Sequence, residues 1–394
     1  MNTQLKTIFV FLFLVCTLRG TAQNFSIDYP SYQNRNSDAL EISRIVRNDT
    51  ATILYMDAYS RPNYWIRLAS GLSLHGNQTG KNYPIIRSQG FELDKEVYMP
   101  ASGNVTFSLQ FAPLAPQEKM IDFIEGANKG DFQIKSISLN EQEKKGKIHC
   151  HISGKVIDSP QSSRLVLMKA HKNPSSSPWL SIPIRNGEFQ YDFYADHEEV
   201  YEVFIWNDML TGSWLPSLFF AENGPVSFTL YPASTRKPGL VSTSNPLTCE
   251  LQQLESERKA KFNFDSLYAQ MNKLYEENRF ESEALQTLWK RIEQVKDNNE
   301  ERNNIYRERD RLEESGEAYT EEGKALLVKI KQLNEEMNQW TIKHIKQNPS
   351  LPGLYVLTSK TEMARKGEDV TPFLNAYQET FASLYPEHPY SQQM

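Results

Sequence analysis

Three neighbouring residues, His149, Cys150 and His151, form the densest group of possible metal ligands in the sequence. Their alternating surroundings predict a β-strand, on which both imidazoles lie on one face and could share a metal ion. A structural zinc site needs four ligands and a catalytic one normally three, and no second cluster stands out. We therefore interpret these histidines as solvated or hydrogen-bonded strand residues, and predict no metal and no cofactor.

Two carboxylates, Asp122 and Glu125, are the candidate acid–base pair. A spacing of three on a strand directs them to opposite faces, which suits neither geometry of glycoside hydrolysis. A structural role near a strand end is the favoured interpretation. The sequence holds no Gly-rich phosphate loop, His-Glu-x-x-His or Gly-x-Ser-x-Gly motif. A dispersed Ser-His-Asp triad stays open, but none of the seven histidines lies in a motif, so we predict no catalytic residue.

The tryptophans offer another kind of chemistry. Trp65 with Arg67, and Trp179, Trp206 and Trp214 further on, could line a carbohydrate or peptide platform. In alternating β-patterns such residues are more often core. Trp214 is the exception, because its surroundings read as a loop, where burial is less automatic.

Two cysteines, Cys150 and Cys249, remain after the leader described below. They form either one disulfide or two buried thiols. We favour the thiols, since nothing else resembles a disulfide framework and no Cys-x-x-Cys occurs.

The chain begins with a predicted secretory signal. Residues 1–22 contain an early lysine, an apolar run and a small-residue cleavage site, the order typical of a cleaved signal peptide. The run is about half the ~20 residues that span a membrane, so we expect no anchor after cleavage. Cys16 could instead be a lipoprotein acylation site, but the bulky Leu14 and Val15 disfavour this. We expect a periplasmic or secreted protein with its N-terminus at Gln23 or Asn24.

The composition predicts a folded protein of two or three domains. The 394 residues are 39% hydrophobic, and 43 Lys and Arg stand against 49 Asp and Glu, a net charge of −6. This charge argues against nucleic-acid binding, which requires clustered basic residues. The elements that must position any site therefore belong to packed domains.

Alternating, aromatic segments separated by turn residues predict two β-rich domains. Residues 24–140 indicate an immunoglobulin-like sandwich, a charged hinge follows at 141–147, and residues 148–245 indicate a second sandwich-like domain. Asn186 and Gly187 predict a tight hairpin turn, and Asn223 with Gly224 predicts a second turn of the same kind.

Residues 246–394 change to a helical pattern. Apolar residues recur at helical spacing, with a predicted break at Gly316 and a helix stop before Pro349. The stretch 296–314 is almost free of apolar residues and is either a solvent-bridging helix or a frayed one. Two shorter helices, at 353–364 and 372–384, precede a polar tail. The fold class is thus α+β and multidomain: two antiparallel β-sandwich-like domains, then an amphipathic helical region.

Several of these segments resemble a known group of proteins. The resemblance rests on these stretches: Trp65-Ile66-Arg67, Met99-Pro-Ala-Ser-Gly103, Phe107 to Leu114, Ile152-Ser-Gly-Lys, Asn186-Gly-Glu-Phe189, Phe220-Ala-Glu-Asn-Gly-Pro225 and Asn348-Pro349-Ser350. They resemble the uncharacterised β-domains and helical connector at the N-terminus of secreted thioredoxin-like, or thiol-disulfide interchange, proteins of Gram-negative bacteria. The resemblance covers the mature chain but includes no thioredoxin domain, so it implies no redox residue here.

The function that these observations favour is a non-catalytic accessory protein with a positioning or partner-recognition role. Two alternatives stay open. The chain could dock a separately supplied thioredoxin-like domain in a thiol-disulfide system, or it could bind a glycan or peptide through exposed aromatic residues.

Overall fold

A computed structural model describes residues 25–128, 130–140, 146–159, 162–174, 177, 179–295, 298–365 and 367–394. The predicted signal segment with Cys16, and most of the predicted hinge, lie outside the described residues. The protein is α+β, with two β-regions followed by a helical region. No described helix is both long and apolar enough to cross a membrane.

The first β-region is a curled antiparallel sheet. Its strands are β1 (Phe25–Asp28), β2 (Asn34–Arg35), β3 (Leu40–Arg47), β4 (Thr52–Tyr59), β5 (Trp65–Ile66), β6 (Ser73–Gly76), β7 (Asn82–Gln89), β8 (Val97–Tyr98), β9 (Asn104–Phe111), β10 (Met120–Ile124) and β11 (Gln133–Ser138). The order is β1-β3-β4-β9-β7-β6-β10-β11-β2, and β5 pairs with β8 separately. The sheet curls at β7, which pairs with β9 at one end and β6 at the other. Both halves therefore face one core, which includes Leu54, Phe111 and Phe123.

The second β-region is a two-layer sandwich. Its strands are β12 (Ile148–Val156), β13 (Arg164–Lys169), β14 (Leu180–Pro183), β15 (Glu188–Ala195), β16 (Val200–Ile205), β17 (Ser217–Phe220), β18 (Gly224–Leu230) and β19 (Leu240–Thr243), with the short helix α1 (Trp206–Leu210) after β16. One sheet has the order β15-β12-β18-β19 and the other β14-β13-β16-β17. All these pairs are antiparallel except β12 with β18, which is parallel. Alternate residues of both sheets meet in a shared core.

The two predicted Asn-Gly turns have different outcomes. Asn186 and Gly187 have φ values of 54° and 77°, and Arg185 and Glu188 exchange backbone hydrogen bonds around them, so this tight turn is confirmed. Asn223 does not adopt a positive φ, and its side chain instead accepts a hydrogen bond from the His149 N–H. The prediction of a second tight turn at Asn223 and Gly224 was therefore wrong.

The helical region follows directly after β19. Its helices are α2 (Pro246–Lys261), α3 (Asp265–Glu276), α4 (Glu283–Gln294), α5 (Asn299–Ser315), α6 (Glu321–Gln347), α7 (Leu351–Glu362), α8 (Thr371–Ala376), continued by a π-helical turn (Tyr377–Phe381), and α9 (Pro389–Gln393). The break at Gly316 is confirmed, because this glycine ends α5 with φ 73°. α6 ends two residues before Pro349, as predicted. α5 buries Ile305, so the polar stretch is an ordered surface helix.

The helices cover part of the outer face of the sheet β14-β13-β16-β17. Ala170, Val200 and Phe220 from that face share a core with residues of α2, α6, α7 and α9. The predicted polar tail was wrong in one respect: Tyr390 is buried, and its hydroxyl accepts the Val200 N–H. The helical region is thus packed on the second β-region.

Candidate functional site

Two arginines of the second β-region, Arg164 and Arg185, form contacts with the first β-region. Arg164 on β13 is 1% exposed, and its guanidinium lies 4.1 Å from the ring centre of Trp206 and 4.4 Å from that of Tyr59. It also donates to the Asp38 backbone oxygen at 2.8 Å and side chain at 3.2 Å. Burial lowers the pKa of Arg164, while Asp38 opposes this by stabilising its charge. The contact therefore joins the regions with a compensated charge.

Further contacts between aromatic rings and guanidinium groups adjoin Arg164. Two guanidinium groups lie over the ring of Trp179, that of Arg164 at 5.4 Å and that of Arg35 at 5.0 Å from the ring centre. Arg35 also lies over Tyr32, at 5.5 Å, and forms an ion pair with Glu41. Rings and guanidinium groups from both β-regions therefore alternate, each arrangement favourable through the ring quadrupole.

A cleft of about 660 Å³ opens between the two β-regions. Its lining is rich in aromatic side chains from both sides: Tyr29, Tyr32, Tyr59, Trp179, Tyr191, Phe193, Tyr194 and Tyr201. Tyr29 of the first region packs on Tyr191 of the second, with ring centres 4.3 Å apart. A concave, largely aromatic pocket at a domain interface is the usual form of a ligand site.

The cleft carries no unpaired charge among its described residues. Each charged lining side chain has an ionic or histidine partner: Glu41 with Arg35, Asp57 with Arg185, Lys147 with Asp196, Lys169 with Glu199, Lys172 with Glu362, and Asp192 with His149 and His151. Burial raises the pKa of Tyr32 and Tyr201, so these phenols stay neutral. Five of the six charged lining residues therefore face an opposite charge, and the sixth, Asp192, is held by two imidazoles that are charged only when protonated.

Two buried hydroxyl groups belong to residues that line the cleft. The Tyr59 hydroxyl and the Ser181 hydroxyl have no hydrogen-bond partner within the described part of the chain. Tyr59 is 2% exposed and Ser181 5% exposed. Most buried polar groups have a hydrogen-bond partner, so these two hydroxyl groups are exceptions.

The predicted histidine pair contacts Asp192, which lines this cleft. His149 Nε2 and His151 Nδ1 lie 2.8 and 3.0 Å from the same Asp192 oxygen. Burial opposes ionisation of Asp192, but hydrogen bonds from the two imidazoles outweigh it and lower its pKa. Among the described residues, no three potential ligands are arranged to hold a metal ion. Both histidines are hydrogen-bonded, as the sequence indicated.

The two candidate carboxylates accept backbone hydrogen bonds near the end of β10. Asp122 accepts from the Ser136 N–H at 2.8 Å. Glu125 accepts from the Ala69 N–H at 2.6 Å and the Phe132 N–H at 2.8 Å. Asp122 therefore bridges the neighbouring strands β10 and β11, and Glu125, the residue after β10, joins two loops, so both carboxylates have structural partners.

The two cysteines are free thiols, which confirms the favoured interpretation of their bonding. Burial raises the pKa of the Cys150 thiol to about 12, so this residue is inert at neutral pH. Cys249 is exposed, and the prediction that both thiols are buried was wrong for it.

The tryptophans separate into three environments. Trp65 is 49% exposed and lies opposite Tyr98 on the β5–β8 ribbon, which contradicts the expectation of a core residue. Trp214, the expected exception, instead stacks on Phe204 with ring centres 5.5 Å apart. Trp179 lines the cleft. The sequence contained these tryptophans as candidates but gave no signal for the cleft tyrosines, which come from segments far apart in the chain.

Comparisons with known proteins add little. No protein-family model and no curated protein matches the chain. A type I pullulanase from Bacillus subtilis, solved with maltose, is 11% identical over 43% of this chain and 23% of its own, with a TM-score of 0.13. The pilus 2b backbone protein of group B streptococcus is 8% identical over 43% of this chain and 83% of its own, with a TM-score of 0.11. Neither likeness supports an argument about fold or function.

Proposed function

We propose that the protein is a non-catalytic recognition protein that holds a partner or ligand in the cleft between its two β-regions. The observation that carries this proposal is the cleft itself, about 660 Å³ and lined by aromatic side chains from both regions. A volume of this size is within the range of pockets that enclose small ligands or short segments of larger ones.

The joint between the regions supports the same proposal. Arg164 with Asp38 and Arg185 with Asp57 fix the walls of the cleft to one another. One partner of each pair, Arg164 or Asp57, is buried, so breaking the pair leaves that buried charge uncompensated, which is unfavourable. The walls are therefore preorganised, and binding does not have to supply the free energy of assembling them.

The non-catalytic part of the proposal rests on what the candidate chemical groups do. Asp122 and Glu125 hold backbone N–H groups, Cys150 is a buried thiol with a raised pKa, and Asp192 bridges two histidines. Each already has a structural partner or surroundings that suppress its reactivity.

Export is part of the proposal and has a direct test. The apolar run and the small residues before Gln23 motivate it. Mass spectrometry of the protein expressed with its full leader in a Gram-negative host should show an N-terminus at Gln23 or Asn24. An intact Met1, or a diacylglyceryl group on Cys16, contradicts this processing.

A thermal-shift screen tests whether the cleft is a binding site. The probes are two panels, capped hexapeptides and hexasaccharides, each with neutral and charged members. A ligand at a hundred times its Kd stabilises the folded state by about 2.7 kcal/mol, a readily measured rise in Tm. The rise should be lost in Tyr32→Ala, which removes a cleft wall, and kept in Tyr64→Ala, a substitution at an exposed ring outside the cleft lining. Equal shifts in both variants, or none in the wild type, contradict a binding cleft.

A further inference from the structure

The cleft lies along an edge strand of the second β-region. β15 is the outermost strand of its sheet, with β12 on one side. Consecutive residues Tyr191, Asp192, Phe193 and Tyr194 all line the cleft, although their side chains alternate between the two faces of the sheet. Consecutive lining residues indicate that the cleft follows the backbone edge of the strand.

The hydrogen-bond pattern between β12 and β15 identifies which backbone groups of β15 point away from β12. The Val156 N–H donates to the Gly187 oxygen on the β15 side, whereas the Ile157 N–H donates to Leu230 on the β18 side. Alternate N–H groups of a strand point to opposite sides. Counting back along β12, Cys150 and Ile152 therefore bond to Phe193 and Tyr191, their register partners.

Asp192 lies between those two bonded positions. Its N–H and C=O consequently point away from β12, and no described residue pairs with them. Unpaired edge groups are a template for an added strand, which lies about 4.8 Å from its neighbour. The neighbouring edge strand β14 also lines the cleft, but it is short and contains Pro183, which has no N–H to offer.

We infer that the occupant of the cleft is an extended, uncharged peptide segment of a partner protein, added as a strand to the open edge of β15. This inference rests on the proposed function, since it names the ligand of the same cleft. Residues of the added strand next to Tyr191 and Phe193 share their inward face and are apolar. Residues next to Asp192 share its exposed face and are polar.

The charge balance selects against charged segments. Apart from Asp192, the described charged groups of the cleft already form ion pairs, so a charged side chain that enters among them loses its hydration and finds no free counter-ion. The aromatic lining, in contrast, offers apolar contact to the side chains of a neutral strand.

The test uses the full chain and a labelled, capped hexapeptide of alternating valine and threonine, with maltohexaose as the rival probe. Binding is measured by fluorescence anisotropy for the peptide and calorimetry for the sugar. The peptide should bind and slow hydrogen exchange at the Asp192 amide at least tenfold. Asp192→Pro removes the edge N–H and should raise the peptide Kd more than tenfold. Asp192→Ala loses the same side-chain contacts to His149 and His151 but keeps the N–H, so the peptide Kd of the proline variant should exceed that of the alanine variant at least tenfold.

Each other outcome has a definite meaning. Binding of maltohexaose alone overturns the peptide inference and leaves the binding cleft standing. Peptide binding with no protection at Asp192, and equal affinities of the proline and alanine variants, overturns the strand geometry only. If neither probe binds at millimolar concentration, both the inference and the proposed function fail. Should Asp192→Pro not fold by circular dichroism, the exchange measurement on the wild type decides.

Discussion

Replacing Glu202 by glutamine should stabilise the protein above neutral pH and have little effect in acid. Glu202 lies on β16, between Met168 of β13 and Leu218 of β17, and is 5% exposed. Burial raises the pKa of its carboxyl from 4.5 to about 7, against a weaker opposing effect of the hydrogen bond from the His171 backbone. No basic side chain in the described part of the chain forms an ion pair with it.

The magnitude and sign follow from linkage. The pKa of Glu202 is higher in the folded state than in the unfolded state. Glu202 therefore lowers the free energy of unfolding at any pH where its carboxyl is ionised in the unfolded chain. The free energy of unfolding is not reduced by Glu202 below about pH 4.5, and it falls as the pH rises from there to about 7. At about 1.4 kcal/mol per pKa unit, the loss is roughly 1 kcal/mol at pH 5 and roughly 3 kcal/mol at pH 8.

Urea unfolding of the wild type and Glu202→Gln at pH 5 and pH 8 measures this difference. The variant should gain about 2 kcal/mol more at pH 8 than at pH 5, because glutamine mimics the protonated form. Glu336→Gln, at an exposed site on α6, is the matched control and should change stability little at either pH. A gain independent of pH, or a variant less stable than the wild type at pH 8, would refute the assignment of the raised pKa.

Three further predictions concern packing and are checked by urea unfolding and circular dichroism. Gly154→Ala should cost about 1–3 kcal/mol or more, because the new Cβ would lie 2.2 Å from the Phe228 carbonyl oxygen; an unchanged midpoint contradicts this. Tyr390→Phe should cost about 1–3 kcal/mol by leaving the buried Val200 N–H without an acceptor, and a neutral result would show that water replaces the hydroxyl. A chain ending at Ser244 should keep its β-rich spectrum but melt at a lower temperature, since it uncovers the outer sheet face; an unchanged Tm would show that the helices add no stability.

The local elements of this fold were readable from the sequence. The hairpin at Asn186 and Gly187 needs residues that tolerate positive φ, and the ends of α5 and α6 need a glycine and a following proline. Such signals act between near neighbours, so the pattern of residues contains them.

The candidate site was not readable in this way. Tyr29 and Tyr191 are far apart in sequence, and Arg164 meets Asp38 across 126 residues. An aromatic residue in an alternating pattern predicts burial equally well at a core, an interface or a cleft. Trp65 was expected in the core and is exposed, whereas Trp214 was expected to be less buried and packs on Phe204. Exposure depends on which distant residues pack over a side chain, and the neighbouring residues in the sequence do not specify that.

The sequence by itself thus determined the β-rich and helical regions, the Asn186-Gly187 turn, the ends of two long helices and the net negative charge. The tertiary structure alone decided that the edge of β15 faces the first β-region, that guanidinium groups and rings alternate across the joint, and that every described charge in the cleft is paired. Local structure depends on short-range backbone and side-chain preferences, whereas a cleft depends on how whole sheets meet, and that geometry arises only when distant segments pack.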